Sequence, residues 1–216
     1  MTDHLSVRSV ALGPLQANCF ILSRGADALV VDPGDEATQV IRLVARLDVT
    51  PSAILLTHGH FDHFGAAEPL ARTWNVPVYI GDADADQVSD PGSGTTWGFD
   101  VPAVTAERVI MHGEEELPLP IPVLAIPTPG HSQGSFTFQT DGHLFSGDLI
   151  FYGSVGRTDL PGGSSRTLIQ SKAGLVRRFP PATIVHCGHG PDTTLGRELA
   201  VNPFFAPLRN DPEASR

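Results

Sequence analysis

An α/β fold with helices inserted between strands is what this sequence of 216 residues predicts. Three observations carry that reading. Short apolar runs recur along the chain, separated by Gly-, Pro- and Asp-rich punctuation. Between some of them lie longer stretches with apolar residues at helical spacing. Several apolar runs end on a histidine or aspartate next to glycine, the pattern of strands whose carboxyl ends build a site.

Taken in order, "CFILS" (19–23) and "ALVVDPG" (28–34) predict two strands joined by a tight turn at "RGAD". Residues 36–47 place Val40, Ile41, Val44 and Leu47 on one helical face. "AILLTHGH" (53–60) predicts a strand buried on both faces that runs straight into a histidine cluster. A helix over 66–74 and a strand over 76–80 follow. Residues 81–105 are rich in Asp, Gly and Pro and predict loop with a short helix. Strands are then predicted at 108–112, 123–128, 135–140, 143–148 and 183–188. The helix over 164–179 opens on serines suited to capping. No repeat or convincing linker interrupts this pattern, so residues 1–216 are expected to form one domain.

Charged residues make up 18% of the chain and apolar residues 41%, as in ordinary soluble proteins. A net charge of −10 argues against nucleic acid or an anionic membrane surface as the main partner. A small anionic substrate stays open, because a local metal or arginine can outweigh a distant acidic surface. Two cysteines, Cys19 and Cys187, make no disulfide framework and point to a reducing compartment. The N-terminus lacks the basic and apolar regions of a signal peptide. No apolar run approaches the ~20 residues of a membrane helix. The expectation is a cytoplasmic protein with no membrane partner, its oligomeric state open.

The stretch "THGHFDHFG" (57–65) holds most of the chemistry. Residues two apart on an extended chain point the same way, so His58 and His60 can face one point. Asp62 and His63 follow where the chain must turn, and can address a second point nearby. Imidazole and carboxylate together suit Zn, Fe(II) or Mn(II). These residues alone cannot complete two coordination spheres, so further ligands should sit at strand ends downstream. "TPGHSQGS" puts His131 after the strand at 123–128, "LFSGDLI" puts Asp148 at the end of another, and "VHCGHGPDT" puts His189 between two glycines. Glycine lets the backbone bend and approach closely.

On "GPLQANCFIL", "VVDPG", "THGHFDHFG", "TPGHSQGS", "LFSGD", "GRTDLPGGS" and "GHGPDT", in that order, the sequence resembles the metallo-β-lactamase-fold hydrolases. Within them it is similar to the short glyoxalase II-like (hydroxyacylglutathione hydrolase-like) branch. The resemblance implies a four-layer αββα sandwich: two mixed β-sheets face to face, helices outside, metals at one edge. It implies one metal held by His58, His60 and His131, a second held by Asp62, His63 and His189, and Asp148 bridging them. Asp62 and Asp148 thereby also belong to the catalytic group. Two divalent ions are implied, zinc first, with iron or manganese as alternatives. Asp32 of "VVDPG" matches a position that supports the metal site without binding metal; a buried turn aspartate is the other reading. Typical glyoxalase II enzymes add a C-terminal helical domain that binds glutathione. Only a short tail follows His189 here, so that element is expected to be absent and the thiol carrier is open.

Such a site implies hydrolysis of a small-molecule thioester, whose thiolate leaves with little acid assistance because thiols have pKa ~8.5. The alternative within the same fold is a persulfide dioxygenase using one Fe(II) on His58, His131 and Asp148. The acidic balance counts against an RNA-processing nuclease, and the filled ligand positions count against a binding module without chemistry. The Asp62–His63 pair and Asp148 look more like the thioesterase branch than a β-lactamase.

Other residues get plainer readings. "DADADQ" (82–87) resembles the start of a calcium loop but lacks its glycine and terminal glutamate, and reads as a solvated helix entry. His186 reads as a core or supporting histidine, and the cysteines as small buried residues. His4, His112 and His143 have no partner pattern. Arg157, in a Gly-rich loop after Asp148, is a candidate for holding a substrate carboxylate. Trp97 and Phe99 are candidates for the rim of the site.

Overall fold

The computed structural model describes residues 4–90, 94–95 and 98–209. Strand β1 (Ser6–Leu12) pairs antiparallel with β2 (Ala17–Arg24), which turns at Gly25 into antiparallel β3 (Asp27–Val31). Helix α1 (Ala37–Leu47) crosses over to β4 (Thr50–Leu55), parallel to β3. The short α2 (Phe61–Phe64) and α3 (Ala67–Trp74) lead to β5 (Val78–Gly81). A 3-10 turn (Asp82–Asp84) and α4 (Ala85–Ser89) then lead to β6 (Arg108–Met111). Strands β4, β5 and β6 are parallel neighbours, and the first sheet runs β1-β2-β3-β4-β5-β6.

The second sheet starts as an antiparallel meander of β7 (Glu115–Leu117), β8 (Val123–Pro127), β9 (Phe136–Thr140) and β10 (His143–Gly147). Helix α5 (Ser165–Arg178), capped by the Ser164 hydroxyl, crosses to β11 (Ile184–Cys187), parallel to β10. Antiparallel β12 (Thr193–Thr194) ends the sheet, followed by α6 (Leu195–Val201) and a 3-10 turn at Pro203–Leu208.

Strand parity builds the layers. Along β2, Phe20 and Leu22 join the core between the sheets, while Cys19 and Ile21 face a separate core under α1 and α3. Leu29 and Val31 against Ala28 and Val30, and Ala53 and Leu55 against Ile54, divide the same way. In the second sheet Phe145 points to the shared core, and Leu144 and Val185 meet Leu168 and Leu175 of α5. Both faces of the central strands are therefore apolar, and the fold is the four-layer αββα sandwich of two mixed sheets that the resemblance implied. No helix among the described residues is long and apolar enough to cross a membrane.

The elements absent from the sequence reading are weakly marked ones. β1 is a sheet edge with several solvent-facing residues, β7 spans "EEL", and α6 is short. The strand expected to run to His60 ends at Leu55. The Leu56 N–H still bonds the Tyr79 carbonyl of β5, but at Thr57 the backbone leaves the ladder, its N–H donating to the Asp32 carboxylate instead of a neighbouring strand.

Candidate metal centre

Two buried aspartates hold the histidine loop in shape. Asp32 follows β3 with φ of 48°, a left-handed conformation that aspartate tolerates better than most residues. Its Oδ1 accepts the Thr57 N–H at 2.7 Å, and its Oδ2 accepts the Thr57 hydroxyl at 2.6 Å and His63 Nδ1–H at 3.0 Å. Asp84, in the 3-10 turn after β5, is fully buried. Its Oδ2 accepts the Gly59 N–H at 2.9 Å and the Ser132 hydroxyl at 2.6 Å, and its Oδ1 accepts the Gly134 N–H at 2.8 Å. A Cβ at Gly134 would fall 2.5 Å from the Asp84 nitrogen, so only glycine fits there. "DADADQ" does enter a helix, but its Asp84 is a buried tie between the His58–His60 loop and the His131 loop, not a solvated residue. The polar stretch concealed this because its partners, two main-chain N–H groups and the Ser132 hydroxyl, lie far away in sequence.

The residues expected at the centre do come together. Ligand atoms of His58, His60 and His131 form one trio, and those of Asp62, His63 and His189 a second, each with all its atoms within 4.8 Å of one another. In the first, His60 Nδ1 lies 2.8 Å from His131 Nε2. In the second, Asp62 Oδ2 lies 3.2 Å from His189 Nε2 and 3.7 Å from His63 Nε2. Asp148 stands between them: Oδ1 is 3.3 Å from His63 Nε2, and Oδ2 is 3.5 Å from His131 Nε2 and 3.7 Å from His189 Nε2. A Cβ at Gly188 would sit 2.2 Å from Asp148 Oδ1, which explains the glycine before His189. Asp32, His58 and His63 form a third grouping. There both Asp32 oxygens are already engaged, as suits a supporting residue.

Outer partners orient the rings. The Arg157 carbonyl accepts His131 Nδ1–H at 2.7 Å, and the Leu15 carbonyl accepts His189 Nδ1–H at 3.1 Å. Thr57 Oγ1, donating to Asp32, accepts from His58 Nδ1 at 3.0 Å. With Nδ1 of His58, His63, His131 and His189 satisfied, their Nε2 atoms face the centre.

Burial, then the neighbouring His63, His60 and His131 rings, holds His58 well below the usual imidazole pKa. Burial and His131 bring His60 down to about 4. Burial also opposes charge on His63, but Asp148 and Asp62 outweigh it and raise that pKa. Asp148 lies below the ordinary carboxylate range despite burial, because His63, His131 and His189 surround it.

This donor set fits cations. Among the described residues, His58 Nε2, His63 Nε2 and Asp148 Oδ1 are buried without a hydrogen-bond partner. An orphaned buried polar atom costs about 1–3 kcal/mol. Atoms of the kind that ligate zinc, iron or manganese, orphaned side by side, are explained by metal binding.

The centre opens into a cleft of about 860 Å³ lined by His60, Asp62, His131, Asp148 and His189 at its floor. Leu15, Phe61, Phe99 and Leu160 form apolar walls, Phe61 and Phe99 being stacked with centroids 4.8 Å apart. Phe99 thus lines the rim as expected; Trp97 lies outside the described residues. Arg157 reaches the lip, where Asp159 binds its guanidinium through two hydrogen bonds. Away from the cleft, His143, to which the sequence assigned no partner, contacts His186 Nε2 through Nδ1 at 2.9 Å. His186 in turn meets Asp192 at 2.9 Å. This chain of contacts braces β10, β11 and the turn that carries His189. His112 lies 3.6 Å from Asp82 at the surface.

A family model described as the metallo-beta-lactamase superfamily matches residues 12–189, which span every strand from β2 to β11 and all of the centre residues above. The chain belongs to the metallo-β-lactamase superfamily. A superfamily relative from Bacillus subtilis (strain 168), "Probable metallo-hydrolase YqgX", is 39% identical over 92% of this chain and 96% of its own length. "Hydroxyacylglutathione hydrolase GloC" of Haemophilus influenzae is 32% identical over 93% of this chain and 98% of its own. Among solved structures, "BLEG-1 B3 metallo-beta-lactamase" superposes with a TM-score of 0.88 at 37% identity, covering 93% of this chain and 99% of that one. "TTHA1623 in a di-iron-bound form" superposes at 0.82 and 40%, covering 91% and 99%. The metallo-β-lactamase fold accounts for the two sheets and places this donor set at their shared edge; hydrolysis assisted by metal is the chemistry that goes with it.

Proposed function

We propose that this chain hydrolyses a small-molecule thioester at a binuclear centre, converting an S-2-hydroxyacyl thiol to a hydroxy acid and a free thiol. The observation that carries the proposal is Asp148, one carboxylate in reach of His131 from the first trio and of His63 and His189 from the second. His58, His60 and His131 would hold one ion, Asp62, His63 and His189 the other, with Asp148 between. Divalent ions held there supply Lewis acidity, which makes water a competent nucleophile near neutral pH and polarises a carbonyl. Zinc is the ion we favour, with iron or manganese next; the di-iron relative supports two ions.

In the reaction a water oxygen bonds to the acyl carbon and the carbon–sulfur bond breaks. Asp62 and Asp148, the carboxylates at the cleft floor, would hold and orient the centre that activates this water, and the proton that water gives up ends on the departing thiolate or in solvent. The thiolate leaves unaided, since thiols have pKa ~8.5. No cysteine nucleophile is called for: Cys19 and Cys187 are buried, with burial first among the causes that push the Cys187 thiol up to about 12. Buried, unpaired cysteines also suit the cytoplasm. The hydroxyacylglutathione hydrolase among the relatives supports a thioester substrate.

A second reading, opening of a β-lactam ring, draws on the 37%-identical relative named for that activity. One experiment decides: metal analysis of the purified protein together with turnover of S-D-lactoylglutathione, other thioesters and a β-lactam, with oxygen uptake followed on glutathione persulfide. Two ions per chain with thioester hydrolysis is the expected result. One iron per chain with oxygen consumption would replace the proposal by a persulfide dioxygenase using His58, His131 and Asp148, and turnover of the β-lactam alone would favour the second reading.

A further inference from the structure

The cleft is much larger than a hydroxyacyl group, so its outer walls must meet the thiol part of the substrate. Those walls are apolar at Leu15, Phe61, Phe99 and Leu160, and Arg157 is the one lysine or arginine among the described lining residues. That guanidinium is engaged. Its Nε donates to Asp159 Oδ1 at 2.7 Å and its Nη2 to Asp159 Oδ2 at 2.8 Å, the fork-on-carboxylate geometry that a substrate carboxylate would otherwise use. Because the two residues are neighbours in one loop, little chain ordering is needed to keep them together.

Among the described lining residues no second lysine or arginine stands beside Arg157. No lysine or arginine lies between Arg108 and Arg157, and the chain's only lysine, Lys172, is buried against the 3-10 turn at Pro203–Leu208. Asp90 adds a carboxylate to the lip, and the net charge is −10. A polyanionic carrier would approach an acidic protein and then find its one candidate guanidinium occupied. An uncharged carrier would lay its apolar stem along the Phe61–Phe99 stack at no such cost.

We infer that the thiol carrier of the substrate is uncharged, and that Asp159 enforces this selectivity by occupying Arg157 at the lip of the cleft. The inference rests on the thioester reading above. Charge thus sorts carriers at the lip, separately from the bond cleavage at the floor.

The test uses D-lactoyl thioesters of three carriers, N-acetylcysteamine (uncharged), glutathione (anionic) and coenzyme A (polyanionic), with the metal-loaded full chain. The expected order of kcat/KM is N-acetylcysteamine, then glutathione, then coenzyme A, with at least about ten-fold between first and last at low ionic strength and a smaller gap at high salt. In Asp159→Asn the glutathione-to-N-acetylcysteamine ratio should rise at least about five-fold. Adding Arg157→Gln to that variant should remove the gain. Asp159 is two-thirds exposed, so its replacement leaves the core intact. A coenzyme A or glutathione ester matching the uncharged one would overturn the inference, as would an unmoved ratio in Asp159→Asn. Metal-loaded protein that cleaves none of the three esters would instead reject the thioester reading itself.

Discussion

The chain up to β6 delivers His58, His60, Asp62 and His63 from one continuous segment, the loop after β4 and the short α2, whereas the chain after it delivers His131, Asp148 and His189 from three separate strand ends. The first arrangement crowds ligands and depends on outside support: Asp32 and Asp84, both buried, hold the loop's main chain and the His63 ring. The second spreads its ligands, with main-chain carbonyls fixing the rings of His131 and His189. Each trio takes two ligands from the first half and one from the second, so neither half can build a centre alone. Asp84 is the joint between them, bonded to Gly59 on one side and to Ser132 and Gly134 on the other.

Removing the shared carboxylate tests this division most severely. Asp148→Ala should lower thioester hydrolysis by at least about 10³-fold and cut metal content below two ions per chain, with circular dichroism unchanged. Retained turnover would mean that the trios do not act as one centre.

The buried aspartates should then separate. Asp84→Asn faces two main-chain N–H donors with a carboxamide, and should cost about 2–4 kcal/mol of stability. It should also cost about 10–100-fold in affinity for one of the two ions. Asp32→Asn should weaken mainly the other ion, through its direct bond to His63, and the first ion less, through Thr57 and His58. Titration with cobalt, followed by its visible spectrum, resolves the two. If Asp84→Asn weakened the ion on His63 more than the ion on His58, Asp84 would not be the support of the first trio.

The smallest effect concerns the helical layer of the second half, where Lys172 donates to the Phe204 carbonyl at 2.9 Å and lies 4.6 Å from the Phe205 ring centre. Burial brings its pKa down to about 8 from the ordinary 10.5. Between those values the unfolded chain binds more protons than the folded one, so this residue makes stability rise with pH across that window. Lys172→Met should flatten the rise, while at pH 7 its stability stays within about 1 kcal/mol of the native protein or above it. Thermal melts of both proteins from pH 7 to 10 supply the check; parallel curves would show that the lysine does not titrate there.

Much of the centre was legible because its chemistry is local. "THGHFDHFG" contains enough ligands to demand others, and glycine-flanked His131, Asp148 and His189 answer at strand ends. The major strands were legible because residues buried on both faces make continuous apolar runs. β1 was missed because an exposed edge strand has no such run, and β7 and α6 because they are too short to show periodicity. Asp84 reads from sequence as solvated and His143 as unpartnered, since the groups they meet, Gly134 and His186, are remote in sequence.

By itself, then, the sequence determined which residues could ligate metal, that they end strands, and that the fold is α/β in the metallo-β-lactamase manner. Only the tertiary structure decided how they are held. It put Asp148 between the trios, tied two loops through Asp84, turned the Arg157 carbonyl to His131 and left the guanidinium to Asp159. The reason is physical. A ligand's identity is written in one residue, but its orientation and the free charge around it are set by groups that meet only when the two sheets pack.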